Sequence, residues 1–191
     1  ISSLKNCINI VHKQYPEYSK GPIDTGITIK KLLEIVEEEY VVFSGDDDYF
    51  FPRSLDNCVD FLEKNQDFTS AHGFGSYIRY DENIGESTIS GRYNISEYQG
   101  NSGSERIKML MKNYSVLIFG VQRKETFMNA YKNIELLTIP LFCELMPVGL
   151  ISILGKSKKL NELHLVRGIH GIRYKQPKLT ENLLDSEWSR S

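Results

Sequence analysis

The chain has 191 residues, of which 40% are hydrophobic and 25% charged, with a formal net charge of -2. This composition allows one packed domain and excludes a disordered chain. The charge lacks the basic excess of a nucleic-acid binder, so no nucleic-acid partner is expected. The scattered Cys7, Cys58 and Cys143, and the dispersed His12, His72, His164 and His170, fit neither a zinc spacing nor a disulfide framework. A reducing, cytoplasmic compartment is the simplest setting.

Ile8 to His12 is a short apolar run and reads as a strand. The chain thus opens at Ile1 inside what reads as a folded segment, which suggests part of a longer protein. Tyr15 to Gly26 carries Pro16, Gly21, Pro22 and Gly26 and reads as a loop. Ile27 to Glu39 places Ile29, Leu32, Leu33 and Val36 at helical spacing. Tyr40-Val41-Val42-Phe43 is a continuous apolar run, suited to a strand buried on both faces. It ends in Ser44-Gly45-Asp46-Asp47-Asp48. A helix follows, with Pro52 before it, Ser54 as its cap, and Leu55, Cys58, Val59 and Leu62 on its apolar face.

Phe68 to Tyr80 reads as a strand kinked at Gly73 and Gly75, and Asp81 to Gly103 as a loop. Ser102 and Glu105 have the spacing of a capping box for a helix to Lys112. Tyr114 to Val121 suggests a strand and Lys124 to Ile134 a helix. Pro140 suits the first turn of a further helix containing Glu144. Thr138 to Leu154 holds Glu144 as its single charge, but it is shorter than the roughly 20 apolar residues of a membrane span and is interrupted by Pro140, Pro147 and Gly149. Leu163 to Val166 reads as a last strand. The expected domain covers residues 1–175, followed by a polar tail over 176–191.

Helix, buried strand, acidic turn and helix in succession predict an α/β fold. In open α/β sheets ligands bind beyond the carboxyl ends of the strands, where the three aspartates sit. Adjacent carboxylates repel one another, and a hard divalent cation, Mg²⁺ or Mn²⁺, relieves that repulsion. Such an ion would bridge one or two of Asp46, Asp47 and Asp48 to a diphosphate, and Gly45 would let the backbone approach the ligand closely. A solvated acidic loop that caps the next helix is the plain alternative. An EF-hand is a poor fit, because the ligand alternation and the final Glu are missing.

The stretch from Tyr40 to Leu55, continuing through Cys58-Val59-Asp60-Phe61-Leu62-Glu63, resembles the metal-binding segment of family 2 glycosyltransferases, among them bacterial members with a triple-Asp turn. The resemblance is specific over residues 36–70 and looser elsewhere. It implies a GT-A-like, Rossmann-related fold, with a mixed, mostly parallel sheet flanked by helices and lacking its N-terminal part. It also implies that Asp46 faces the donor ribose or the metal, and that Asp47 and Asp48 bind the metal and the donor diphosphate. In many members the first acid of the motif lies where Gly45 stands, which leaves open which two aspartates form the pair. Phe142-Cys143-Glu144-Leu145 is similar to the segment that supplies the catalytic base. As a lone carboxylate in an uncharged run, Glu144 is expected to be desolvated with a raised pKa; a surface position on an amphipathic helix is the alternative. His170 is placed to complete the metal shell, with His164 as runner-up, and Arg167 to contact the diphosphate.

The implied activity is metal-dependent, inverting transfer of a sugar from a nucleoside-diphosphate sugar, a UDP-sugar foremost, to a glycan or lipid-linked acceptor hydroxyl. Surface-polysaccharide synthesis at the inner face of the membrane, with peripheral membrane contact, is the setting by analogy. The rival readings are a non-catalytic nucleotide- or sugar-binding module and a nucleotidyltransferase.

Overall fold

The computed structural model describes residues 22–81 and 85–169. The expected strand at Ile8 to His12, His170 and the polar tail lie outside them. Helix α1 spans Pro22–Ile35. It begins earlier than the apolar spacing suggested because proline fits a first helical turn. It stops before Glu37, Glu38 and Glu39, whose charges would oppose the negative end of the helix dipole. Strand β1 (Tyr40–Val41), the acidic turn, β2 (Asp48–Phe50) and helix α2 (Pro52–Lys64) follow.

Beyond them come β3 (Phe68–Asp81), β4 (Glu86–Tyr93) and helix α3 (Gly103–Lys112). A 3₁₀ turn at Leu117–Phe119 leads into β5 (Val121–Arg123) and helix α4 (Lys124–Tyr131). A second 3₁₀ turn at Ile134–Leu136, helix α5 (Phe142–Leu154) and β6 (Lys156–Ile169) complete the described chain.

The fold is α/β, with one mixed sheet between helices. The strand order is β1-β5-β3-β6-β2, and β4 pairs with the far half of β3. The expectation of a mostly parallel sheet is corrected. β3 and β6 run parallel, while the pairings β1–β5, β2–β6, β3–β4 and β3–β5 are antiparallel. Cys58 and Leu62 of α2 pack with Ala71 and Val121 on one face. On the other face Leu110, Phe127, Tyr131, Val148 and Ile151, from α3, α4 and α5, form the larger core. Neighbouring residues of one strand serve opposite faces: Leu165 joins the larger core, and His164 bonds to Ser54 on α2. No helix among the described residues is long and apolar enough to cross a membrane.

Four further expectations change. The apolar run at Tyr40 to Phe43 is half-buried, and only Tyr40 and Val41 pair, with β5. The loop expected over Asp81 to Gly103 contains β4, which lies along Gly75 to Asp81. The strand expected at Tyr114 to Val121 is replaced by irregular chain and a 3₁₀ turn at Leu117–Phe119, where the buried Gln122 amide donates to the carbonyls of Leu117 and Gly120 at 2.7 and 3.3 Å; only Val121 belongs to a strand, β5. The last strand is far longer than Leu163 to Val166, because parallel pairing with β3 extends it from Lys156 to Ile169. The capping box stands as expected: Glu105 N–H donates to Ser102 Oγ, and the Glu105 carboxylate accepts from Ser102 N–H.

His72 lies fully buried in β3, its Nδ1–H donating to the Gly73 carbonyl at 3.0 Å. Burial pushes its pKa down from 6.5 to about 4. The unfolded chain therefore takes up the proton first as pH falls. Folding stability is retained in full above pH 6.5 and lost as the pH drops from 6.5 towards 4. Urea melts across that window should show the fall, and His72→Leu should reduce its slope, leaving the part due to His164, which burial also lowers.

Candidate functional site

The acidic turn closes tightly before β2. Asp48 N–H donates to the Gly45 carbonyl at 3.4 Å, and Gly45 N–H donates to Asp48 Oδ2 at 3.2 Å. Pairing of Asp48 with Arg167, Tyr49 with Val166 and Phe50 with Leu165 then fastens β2 to β6. Gly168 N–H donates to the Asp47 carbonyl at 3.0 Å. A Cβ on Gly168 would lie 3.0 Å from that oxygen and 3.1 Å from Asp47 Cβ, so glycine lets the turn seat against β6. Gly45 serves in the same way. A Cβ there would stand 3.0 Å from both Asp47 Oδ1 and Asp48 Oδ2, so two carboxylates converge on its bare Cα.

The three aspartates have different surroundings. Asp46 is exposed and Asp47 half-buried. The Asp48 side chain is 1% exposed, and its Oδ1 accepts from Arg167 Nε at 3.1 Å. The Arg167 guanidinium lies 4.2 Å from the centre of the Phe119 ring and 5.2 Å from that of Tyr93. Burial works against the charge on Arg167, but Asp48 and Tyr93 outweigh it and hold the pKa above its ordinary value. Burial lifts the Tyr93 hydroxyl to about 12; Arg167 opposes the rise, and Tyr77 and Glu144 add to it.

Glu144 sits in the first turn of α5. It shares a helix face with Val148 and Ile151, both buried, so it projects from the core-facing side at the helix end. Tyr114 Oη donates to Glu144 Oε1 at 2.7 Å, and burial together with Glu144 raises the Tyr114 pKa. The expectation of a desolvated Glu144 is corrected: the residue is exposed, because the α5 first turn reaches past the core edge.

His164 does not serve as a metal ligand. It is fully buried; its Nε2–H donates to the Phe119 carbonyl at 3.0 Å, and its Nδ1 faces Ser54 Oγ at 2.9 Å. Both ring nitrogens are thereby used. Ser54 is accordingly not the cap of α2. That position is Phe51, with Pro52 opening the helix, and Ser54 turns inward to His164. His170 lies outside the described residues.

Among the described residues no cluster of three or more His, Cys, Asp or Glu is arranged to hold a metal. The donor chemistry nonetheless fits a hard cation that takes one or two carboxylates and completes its shell with phosphate and water. Asp46 and Asp47 offer that pair. A 430 Å³ cleft between α2 and β6, lined by Asn57, Asp60, Lys64 and Glu162, does not include Asp46, Asp47 or Asp48. Neither does a 370 Å³ apolar cleft along α1 and β1, lined by Leu33, Val41 and Phe127.

Tyr93, Phe119, Tyr114 and Gly168 are the site residues that sequence reasoning missed. Tyr93 lay in a stretch read as loop, and an aromatic residue there carries no local signal. No known protein-family model matches the chain, and no curated protein matches its sequence.

Gly45→Ala tests the crowding in the turn. Gly45 has no left-handed backbone, so alanine leaves the main chain unstrained while its methyl pushes the two carboxylates apart. Were the turn to hold Mn²⁺, calorimetric titration should show its binding weakened about tenfold, roughly 1.4 kcal/mol, with a melting temperature changed by only a few degrees.

Proposed function

We propose that the chain is the metal- and donor-binding part of a GT-A-like glycosyltransferase that moves a sugar from a nucleoside-diphosphate sugar to an acceptor hydroxyl with inversion. The observation that carries this reading is the Arg167 cation, held by Asp48 of the aspartate turn and lying against the Tyr93 ring.

A divalent cation at Asp46 and Asp47, when bound, would offset charge on the departing diphosphate. Arg167 presents a fixed guanidinium to the same anion, and its planar fork suits phosphate oxygens. Glu144 takes the acceptor proton. Its Oε1 is engaged by the Tyr114 hydroxyl, which leaves Oε2 as the basic oxygen and fixes the orientation of the carboxylate. The acceptor oxygen forms its bond to the anomeric carbon as the bond from that carbon to the phosphate oxygen breaks. The electron pair leaves with the diphosphate. Attack from the face opposite the leaving group inverts the configuration.

Surface-polysaccharide synthesis in the cytoplasm, at the inner face of the membrane and with a UDP-sugar donor, is the setting we assign by analogy with the family that the acidic turn resembles. A non-catalytic binding module is the second reading, favoured by the exposure of Glu144, since an effective base is commonly shielded from water.

Asp47→Asn should abolish Mn²⁺-dependent donor turnover with little change in melting temperature. Glu144→Gln should abolish turnover while calorimetric binding of the nucleoside diphosphate persists. Turnover equal to the unaltered chain in either variant removes that residue from the mechanism. Donor binding with no turnover in the unaltered chain establishes the module instead.

A further inference from the structure

We infer that the cleft between β6 and the chain that follows β4 and α3 binds a sugar bearing an oxyanion, a phosphate or a carboxylate. Lys159 and Arg92 hold the charge, and asparagine side chains take the hydroxyls. The site is independent of the function proposed above: none of Asp46, Asp47, Asp48, Glu144 and Arg167 lines it.

The cleft has a volume of 430 Å³. Asn94, Ser96 and Glu97 line it from the chain after β4, Asn113 from the end of α3, and Lys159 and Asn161 from β6. A bulge shapes the β6 wall. While β3 advances from His72 to Phe74, its partner β6 advances from Lys159 to Leu163, so the chain between those two residues leaves the ladder. Bulges of this kind re-aim side chains. Asn161 stands exposed on it.

The carboxylate in the cleft is already matched. Glu97 Oε2 accepts from Lys158 Nζ at 3.1 Å and from Lys159 N–H at 3.0 Å. The Lys159 ammonium donates to Asn94 Oδ1, a neutral partner. Neither it nor the Arg92 guanidinium forms an ion pair among the described residues. The two cations are near enough to repel: burial first, and then the Arg92 charge, push the Lys159 pKa below its ordinary value, and Glu97 offsets part of the effect. An anion set against both would relieve that repulsion. Arg92 is also held in place, because its guanidinium lies 4.5 Å from the centre of the Phe74 ring.

The amides select what carries the anion. Asn94 gives its oxygen to Lys159 and keeps its Nδ2 hydrogens, whereas Asn113 donates Nδ2 to Ser96 Oγ at 2.9 Å and keeps its oxygen. Together with the exposed Asn161, they offer donors and acceptors around the cation pair. A bare phosphate would use the cations alone. A sugar phosphate or a uronate would use both sets.

Inorganic phosphate, glucose, glucose-1-phosphate and glucuronate are titrated by calorimetry into the full chain, with a chelator present so that no divalent cation contributes. Lys159→Gln, Arg92→Gln and Asn161→Ala are titrated in parallel, each checked for a native melting transition. One or both anionic sugars should bind, the tighter naming the oxyanion, and glucose should bind about tenfold more weakly. Lys159→Gln and Arg92→Gln should each weaken the anionic sugar about tenfold, the weight of a charge-assisted hydrogen bond. Asn161→Ala should weaken it about threefold and leave inorganic phosphate unchanged. Arg92 and Asn161 are exposed, so their variants give the answer if Lys159→Gln does not fold. Undiminished binding of the anionic sugar in Arg92→Gln, or no binding of either sugar by the unaltered chain, would overturn the assignment. Inorganic phosphate bound as tightly as the anionic sugars would also overturn it, because the amides would then contribute nothing.

Discussion

A carboxylate shut away from water must be paired, and at Asp48 that requirement organises the whole end of the sheet. Leaving either partner of a buried ion pair alone costs on the order of 3–5 kcal/mol, a large part of the stability of a domain this size. Asp48 therefore demands Arg167, and Arg167 can reach it only if β2 lies along β6. Once β2 is fixed, the chain between Val41 and Asp48 has to fold into a tight turn. That turn puts Asp46 at its tip and Asp47 against Gly168. The same arginine draws Phe119 and Tyr93 around it, and so ties the 3₁₀ turn and β4 to the acidic segment.

The buried His164 reinforces this arrangement from the other face of the sheet. His164 links α2, through Ser54, to the Phe119 carbonyl, and the Phe50 ring packs edge-on against it with ring centres 5.2 Å apart. Three elements that carry the site, namely β2, β6 and the 3₁₀ turn, thereby meet at one neutral imidazole. Neutrality follows from the cost of charging a ring so far from solvent.

Some of this was legible in the sequence. The apolar run, the acidic triplet and the proline-led helix have local causes, and they appear in the structure in that order. The capping box at Ser102 and Glu105 is likewise a matter of four consecutive residues. The partners of the triplet were not legible. Arg167 stands 119 positions from Asp48, and nothing in its neighbourhood announces a buried ion pair. Ser54 has the chemistry of a helix cap, and only the tertiary position of His164 draws it inward. Strand β4 was hidden because glycine, serine and asparagine dominate the segment on either side of Ile89. Its pairing with β3 is decided by the sheet rather than by propensity. Glu144 stands out in the sequence by its isolation in an apolar run. Isolation in sequence, however, did not translate into burial, because the helix start projects beyond the core.

The account stands or falls on whether a nucleoside diphosphate lodges at the carboxylate turn. A crystal structure of the chain soaked with uridine diphosphate and Mn²⁺ decides it. The proposed function predicts the metal against Asp46 and Asp47, the diphosphate reaching Arg167, and Glu144 Oε2 facing the far side of the leaving group. A nucleotide bound elsewhere, with Asp46 and Asp47 in plain solvent, would contradict it.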